Sequence, residues 1–209
     1  MARTRTDSGE APPGLRLDRG AFLRLGLGFT IGLAFWLVFA APYERALARV
    51  GQAAINLFES PAVTRLSASG GEVRVDRSDF PPSSPRPGLP AADLHFNFVL
   101  LAALFALGRH PLSPRPFARF WVAAAALTLV HLAALVFQVE DLYATRLGPW
   151  SEEHYGAFAR NVWAGGFHFY LIAGRFAAPF ALWWGLTPAC LVPFSDTGSP
   201  GSRSPSASR

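Results

Sequence analysis

Positions 120–139 read FWVAAAALTLVHLAALVFQV, a run without a single Asp, Glu, Lys or Arg. A helix rises about 1.5 Å per residue and a bilayer core is about 30 Å thick, so this run has the length and apolarity of a membrane span. Arg115 and Arg119 precede it; Glu140 and Asp141 follow it. Three more apolar runs, at 21–41, 94–107 and about 162–186, share its character. The second is short and must borrow flanking residues to cross. The expected fold class is therefore an all-α membrane protein with four transmembrane helices, at about 21–41, 93–110, 118–139 and 161–186.

Charge orients these spans. The connection holding Arg109, Arg115 and Arg119 has no carboxylate, whereas the one with Glu140, Asp141, Glu152 and Glu153 carries only Arg146 and Arg160. Arginine-rich connections stay in the cytoplasm, which places both termini there. A bacterial inner membrane is the expected location, because all 19 basic residues are Arg, a usage read as the bias of a GC-rich genome. The 209 residues are 51% hydrophobic with a net charge of +5. In a soluble chain that charge would suggest nucleic acid; here the arginines flank apolar runs, and the lipid bilayer accounts for them. A single cysteine, Cys190, allows no intramolecular disulfide. The first run also has the basic head of a signal peptide, with Val38-Phe39-Ala40 as a cleavage context, but it exceeds the 7–15 apolar residues typical of a signal core.

Residues 1–20 and 193–209 are rich in Arg, Pro, Gly and Ser and are expected to be a disordered cytoplasmic head and tail flanking a 21–192 membrane domain. Between the first two spans lies an extracytoplasmic loop, 42–92. After Pro42, apolar Tyr43, Ala46, Leu47, Val50, Ala54, Leu57 and Phe58 recur at helical spacing. That pattern predicts a small amphipathic helix at the outer interface. Alternation about Val73 and Val75, with Gly70-Gly71 available to turn, predicts a β-hairpin within 63–77. Five prolines between Pro81 and Pro90 suggest an extended connector.

Several residues are candidates for function. Asn161, His168 and Arg175 are spaced seven apart, as are His131 and Gln138, so each set lies on one helical face. Counted inward from the outer ends of their spans, His131 and His168 come to equal depth, and Gln138 comes level with Asn161. Two readings stay open: hydrogen-bonded glue between helices, or a pair of imidazoles that ligate haem or another metal, or line a quinone pocket. His95 and Asn97 open the second span on the outer side and are expected beside His131 and His168, or else at the wet interface. Arg175 near mid-bilayer demands a counter-charge, with backbone carbonyls, lipid phosphate or a partner subunit's carboxylate as the candidates; if the span shifts to 176–194, Arg175 is instead an interfacial anchor. Gly28 and Gly32, four apart, expose bare backbone for a neighbouring helix, and Gly165 lies near the Asn161 stripe. Tryptophans at 36, 121, 150, 163, 183 and 184 fall mostly towards span ends, as interfacial anchors do. No H-E-x-x-H, G-x-S-x-G, Walker or C-x-x-C motif is present, so no catalytic residue is expected.

Over 94–137 the polar-tipped run His95-Phe96-Asn97-Phe98, the apolar Leu100-Leu101-Ala102-Ala103-Leu104, a short arginine-containing turn and a span with a late His131 resemble the small membrane proteins that accompany exosortases, bacterial protein-sorting transpeptidases. The resemblance covers about a fifth of the chain. It implies a non-catalytic accessory with a membrane-protein partner, because Cys190 lies far from an outer active site. The alternative is an electron-transfer protein using His131 and His168.

Overall fold

In the computed structural model, residues 19–108 and 110–187 are described. The order of elements is α1 (Arg19–Asn56), β1 (Thr64–Ser69), β2 (Glu72–Arg77), β3 (Gly88–Pro90), α2 (Ala92–His95), α3 (Asn97–Ala106), α4 (Pro114–Thr145), α5 (Pro149–His154), α6 (Ala157–Phe169), a π-helical turn (Tyr170–Gly174) and α7 (Arg175–Leu186). The protein is mostly helical with one small sheet. Two helices, α1 and α4, are long and apolar enough to cross a membrane; the apolar stretch 92–106 is shorter. The expected disordered head, save Arg19 and Gly20, which open α1, and the expected tail lie outside the described residues, as does Cys190.

The first correction concerns α1. The amphipathic stretch after Pro42 is no separate interfacial helix but the second half of one 38-residue helix. Proline removes one N–H and crowds the carbonyl four residues back, yet a helix already held on both sides by packing tolerates this loss. The two halves face different surroundings. Leu47, Ala48 and Ile55 are buried, while Leu23, Leu27, Leu37 and Val38 stand exposed. The Val38-Phe39-Ala40 stretch is helical and continuous with both halves.

Gly28 and Gly32 do what their spacing suggests. A Cβ on Gly32 would lie 2.9 Å from Ala102 Cβ, and one on Gly28 would overlap Ala106, so the α1 and α3 backbones meet there. α4 begins Pro114-Arg115-Pro116 after Ser113, a start that costs little because the first N–H groups of a helix have no partner within it. It then runs past Val139 to Thr145, so that Glu140 and Asp141 belong to the helix. The fourth apolar run is broken by the π turn. There, the Arg175 N–H reaches back to the Tyr170 carbonyl.

The hairpin is present and gains a third strand. β1 and β2 pair antiparallel with Leu66 opposite Val75 and Ala68 opposite Val73, across a turn in which Gly70 and Gly71 have φ of 63° and 80°. Both values lie where only glycine is unstrained, the condition for a tight two-residue hairpin. β3 comes from the proline-rich connector and pairs with β2 through Val73 and Leu89. The sheet's apolar face, Leu66, Val73, Val75 and Leu89, packs with Leu47, Ile55, Leu135 and Val139 in one core. Gly51 makes this junction possible: a Cβ there would sit 2.6 Å from Leu135 Cδ2 and 3.6 Å from Leu66 Cδ1. A second core, Leu101, Phe105, Ala123, Ala124 and Leu127, joins α3 to α4.

Candidate functional site

Where α1, α2, α3 and α4 converge, six polar side chains are drawn together. Trp36, Tyr43 and Glu44 lie seven and eight residues apart on one face of α1; His95 ends α2, Asn97 opens α3 and His131 stands midway along α4. His95 and His131 are buried essentially completely. Trp36 Nε1 donates to His95 Nδ1 at 2.9 Å. An indole N–H can only donate, so Nδ1 accepts and the imidazole proton sits on Nε2, which faces Glu44 Oε1 at 3.2 Å. His131 Nε2 lies 2.7 Å from Asn97 Oδ1. An amide oxygen only accepts, so that nitrogen carries the proton, and His131 Nδ1 accepts from the Tyr43 hydroxyl at 2.7 Å. Two short chains result, Trp36 to His95 to Glu44 and Tyr43 to His131 to Asn97. They meet through the Tyr43 and His95 rings, 5.3 Å apart edge to face.

The rim of this cluster is also tied down. The Tyr170 hydroxyl donates to the Leu94 carbonyl at 2.5 Å, and Arg175 Nη1 reaches Asp93 Oδ1 at 3.5 Å. A carboxylate of this chain, Asp93 just ahead of the second apolar run, therefore lies within ion-pair reach of Arg175. Its side chain keeps 29% of its exposure, so the pair sits at an edge rather than in a core.

Three of the four expected outer residues thus assemble, and the fourth does not. His131 and His168 do not face one another: His168 is exposed and its Nδ1 bonds the Ala164 carbonyl of its own helix. The two do not face because α6 and the π turn after it present Phe167 and Tyr170 inward instead. Both nitrogens of His131 are already engaged, and the bis-imidazole pair of the alternative reading is not formed. Gln138 and Asn161 do not interlock either. Gln138 is buried with Oε1 unpaired, whereas Asn161 is exposed beside Arg160 and Thr145. The packing glycine of α6 is Gly166, whose Cβ would overlap the Phe137 ring; around Gly165 there is open space. Among the described residues no cluster of three or more His, Cys, Asp or Glu is arranged to hold a metal.

Sequence reasoning missed Trp36, Tyr43 and Glu44. The signal was present, since Glu44 follows Trp36 by eight residues on the face that also carries Tyr43. It was hidden by treating Pro42 as a helix boundary.

Beside the cluster lies a cavity of about 580 Å³ between α1, α3 and α4. Trp36, Tyr43, His95 and Thr128 line one end; Phe117, Phe120 and Trp121 line the other. Among the described residues no charged side chain lines it.

On the sheet side, Arg77 forms a second focus. Its guanidinium lies 4.6 Å from the Trp150 ring centre and 4.8 Å from that of Tyr143, while its nitrogens reach Asp79 at 2.9 Å and Glu59 at 3.3 Å. The bond from Arg77 holds the Asp79 carboxyl below its ordinary value. Glu59 in turn accepts from the Thr64 N–H and hydroxyl, and Tyr143 bonds the same hydroxyl, so this focus clamps β1 onto α4. Nearby, burial first and Glu140 second push the Tyr155 hydroxyl above its ordinary value; it donates to Glu140 Oε2 at 2.8 Å. Compared with protein-family models, with curated proteins and with solved structures, the chain matches none.

Proposed function

We propose that this protein is a non-catalytic, multi-pass inner-membrane accessory, with both termini cytoplasmic, whose outer module of sheet and helix ends docks a membrane-protein partner. The observation that carries the reading is the state of α1. In its most apolar 18-residue window only 6% of the residues are buried, although the same helix is locked into a well-packed core further on. A soluble core helix buries that surface in protein; an apolar surface this large left open calls for lipid. The stretch 92–106 and the α6–α7 arm serve as the further spans in this reading. Close packing of α3 on α1 through Gly28 and Gly32 supports the first, and the contacts of α7 with α3 and α4 support the second. The Asp93–Arg175 pair then marks the outer interface, where a partly exposed arginine carries a far smaller penalty than at mid-bilayer.

The partner surface lies on the outer module. Leu57 and Phe58, just beyond α1, are 81% and 87% exposed, and Arg175, the earlier candidate for meeting a partner's carboxylate, is engaged by Asp93. With the resemblance to proteins that accompany exosortases, this favours an accessory of a protein-sorting system. The test is a photo-crosslinking amino acid in place of Phe58, in cells. The reading expects a light-dependent adduct with another integral membrane protein, absent when the group replaces exposed Glu153 instead; a sorting transpeptidase in the adduct supports the resemblance. Equal adducts from both positions, or none, would overturn the docking role.

A further inference from the structure

The cavity between α1, α3 and α4 has one polar, aromatic end and one apolar end, as a site for an amphiphile has. Its volume of about 580 Å³ falls within the ~300–1000 Å³ usual for ligand pockets. On α1 it extends from Ile31 to Tyr43, which at about 1.5 Å per residue makes it about 18 Å long. Small residues among its walls leave the space: Gly32, Ala102, Ala124 and Ala125. Phe35, Phe39 and Trp121 on its rim are exposed, so the slot opens sideways, towards lipid in the membrane reading on which this inference rests.

The chemistry of the head end selects the occupant. Among the described residues no Arg lines the cavity to neutralise a phosphate, and Glu44 stands directly behind His95, so at this head end an anionic headgroup meets a carboxylate that opposes it. Hydrogen-bond directions narrow the choice further. Both His95 nitrogens are taken. The Tyr43 hydroxyl gives its proton to His131, and the Thr128 hydroxyl gives its own to the Ala124 carbonyl at 2.9 Å. What these two oxygens still offer is lone pairs. The head that fits them is uncharged and donates, and the aromatic walls, Trp36, Tyr43 and Phe98, suit a flat ring. We infer that the slot binds a long-chain hydroquinone of the bilayer, its ring among Trp36, Tyr43 and Phe98 and its chain running along Ala102 and Ala125 towards Trp121. The site is distinct from the His131 and His168 pairing that sequence spacing suggests.

The test is calorimetric titration of the detergent-purified protein with a long-chain alkyl hydroquinone. Saturable binding of one molecule per chain is expected, with the matching quinone about tenfold weaker, the discrimination that one buried hydrogen bond supplies. Ala125→Phe, at an exposed lining position with room for the ring, should abolish binding, and Tyr43→Phe should weaken it about tenfold. Thermal unfolding in detergent checks that each variant is folded. Phosphatidylglycerol should not displace the hydroquinone. Displacement by phospholipid at equal concentration, equal binding of quinone and hydroquinone by the native chain, or unchanged binding in folded Ala125→Phe would overturn the proposal. The phospholipid and quinone arms use the native chain, so a variant that fails to fold leaves the proposal exposed. A chain that stays dissolved without detergent would instead fail the membrane reading, a separate result.

Discussion

Gly165 and Gly166 are adjacent in a helix and have opposite meanings. Alanine at 165 meets open space and gains about 1 kcal/mol of helix propensity, whereas alanine at 166 is driven into the Phe137 ring, an overpacking that costs about 1–3 kcal/mol. Thermal unfolding in detergent should therefore rank Gly165→Ala at or above the native chain and Gly166→Ala below it. Spacing had pointed to Gly165, because one residue of error in a helix turns a side chain by about 100° and period alone does not say which face is covered. Glu44 teaches the complementary lesson. Glu44→Ala strands the His95 Nε2–H in a buried site, a loss of about 1–3 kcal/mol, while Glu44→Leu together with His95→Leu removes both partners and should recover much of it. If the double variant unfolds as readily as the single one, the pair is doing more than satisfying itself.

Helix boundaries were less readable than helices. The apolar runs correctly located α1, α3, α4 and the α6–α7 arm, and Gly70-Gly71 with the Val73–Val75 alternation located the hairpin, since these signals are local. Pro42 read as a stop and was not one; five prolines read as connector and yielded β3, because strand pairing at Leu89 is decided by a partner distant in sequence. The same long-range logic built the Arg77 clamp, in which Glu59, Asp79, Tyr143 and Trp150 come from four different segments. Its pH response follows. Asp79 has a depressed folded-state value, so its stabilisation is complete above the ordinary carboxylate value of about 3.9 and is lost as the pH falls through the folded value. The side chain is 41% exposed, so solvent screening limits the effect to less than about 1 kcal/mol. Asp79→Asn should flatten the acid limb of the unfolding midpoint by that amount, and an unchanged limb would show that the ion pair does not survive in solution.

The proposed placement across the bilayer rests on putting levels in register. Tyr43 bonds His131, Gly32 meets Ala102 and Gly28 meets Ala106, so on the proposed topology the polar cluster stands at the outer end of one slab and the arginines about Arg115 and Arg119 at the other. The second apolar run, which holds the end of α2 and all of α3, is short: the 14 residues 94–107 give about 21 Å, against roughly 30 Å of hydrocarbon. A short span is accommodated by local thinning or by partners on either side, at fractions of a kcal/mol per Å, and α3 has α1, α4 and α7 around it. On the proposed topology the lower half of α4 lies in lipid and its upper half in the outer core, in keeping with Leu135 and Val139 packing with the sheet while Val122 and Leu129 stand exposed. Cysteine accessibility tests this placement. In a Cys190→Ser background, cysteine replacing exposed Arg74 in β2 or Glu153 in α5 should react with an impermeant maleimide on intact cells. Cysteine at Arg115, at the start of α4, should react only after permeabilisation. Cysteine at Leu129 should be slow in both, because a thiol in hydrocarbon is seldom ionised and the thiolate is the reactive form. Fast labelling of position 129 in intact cells would mean that α4 is a wet surface rather than a span. The open face of α1 would then need a protein partner in place of lipid.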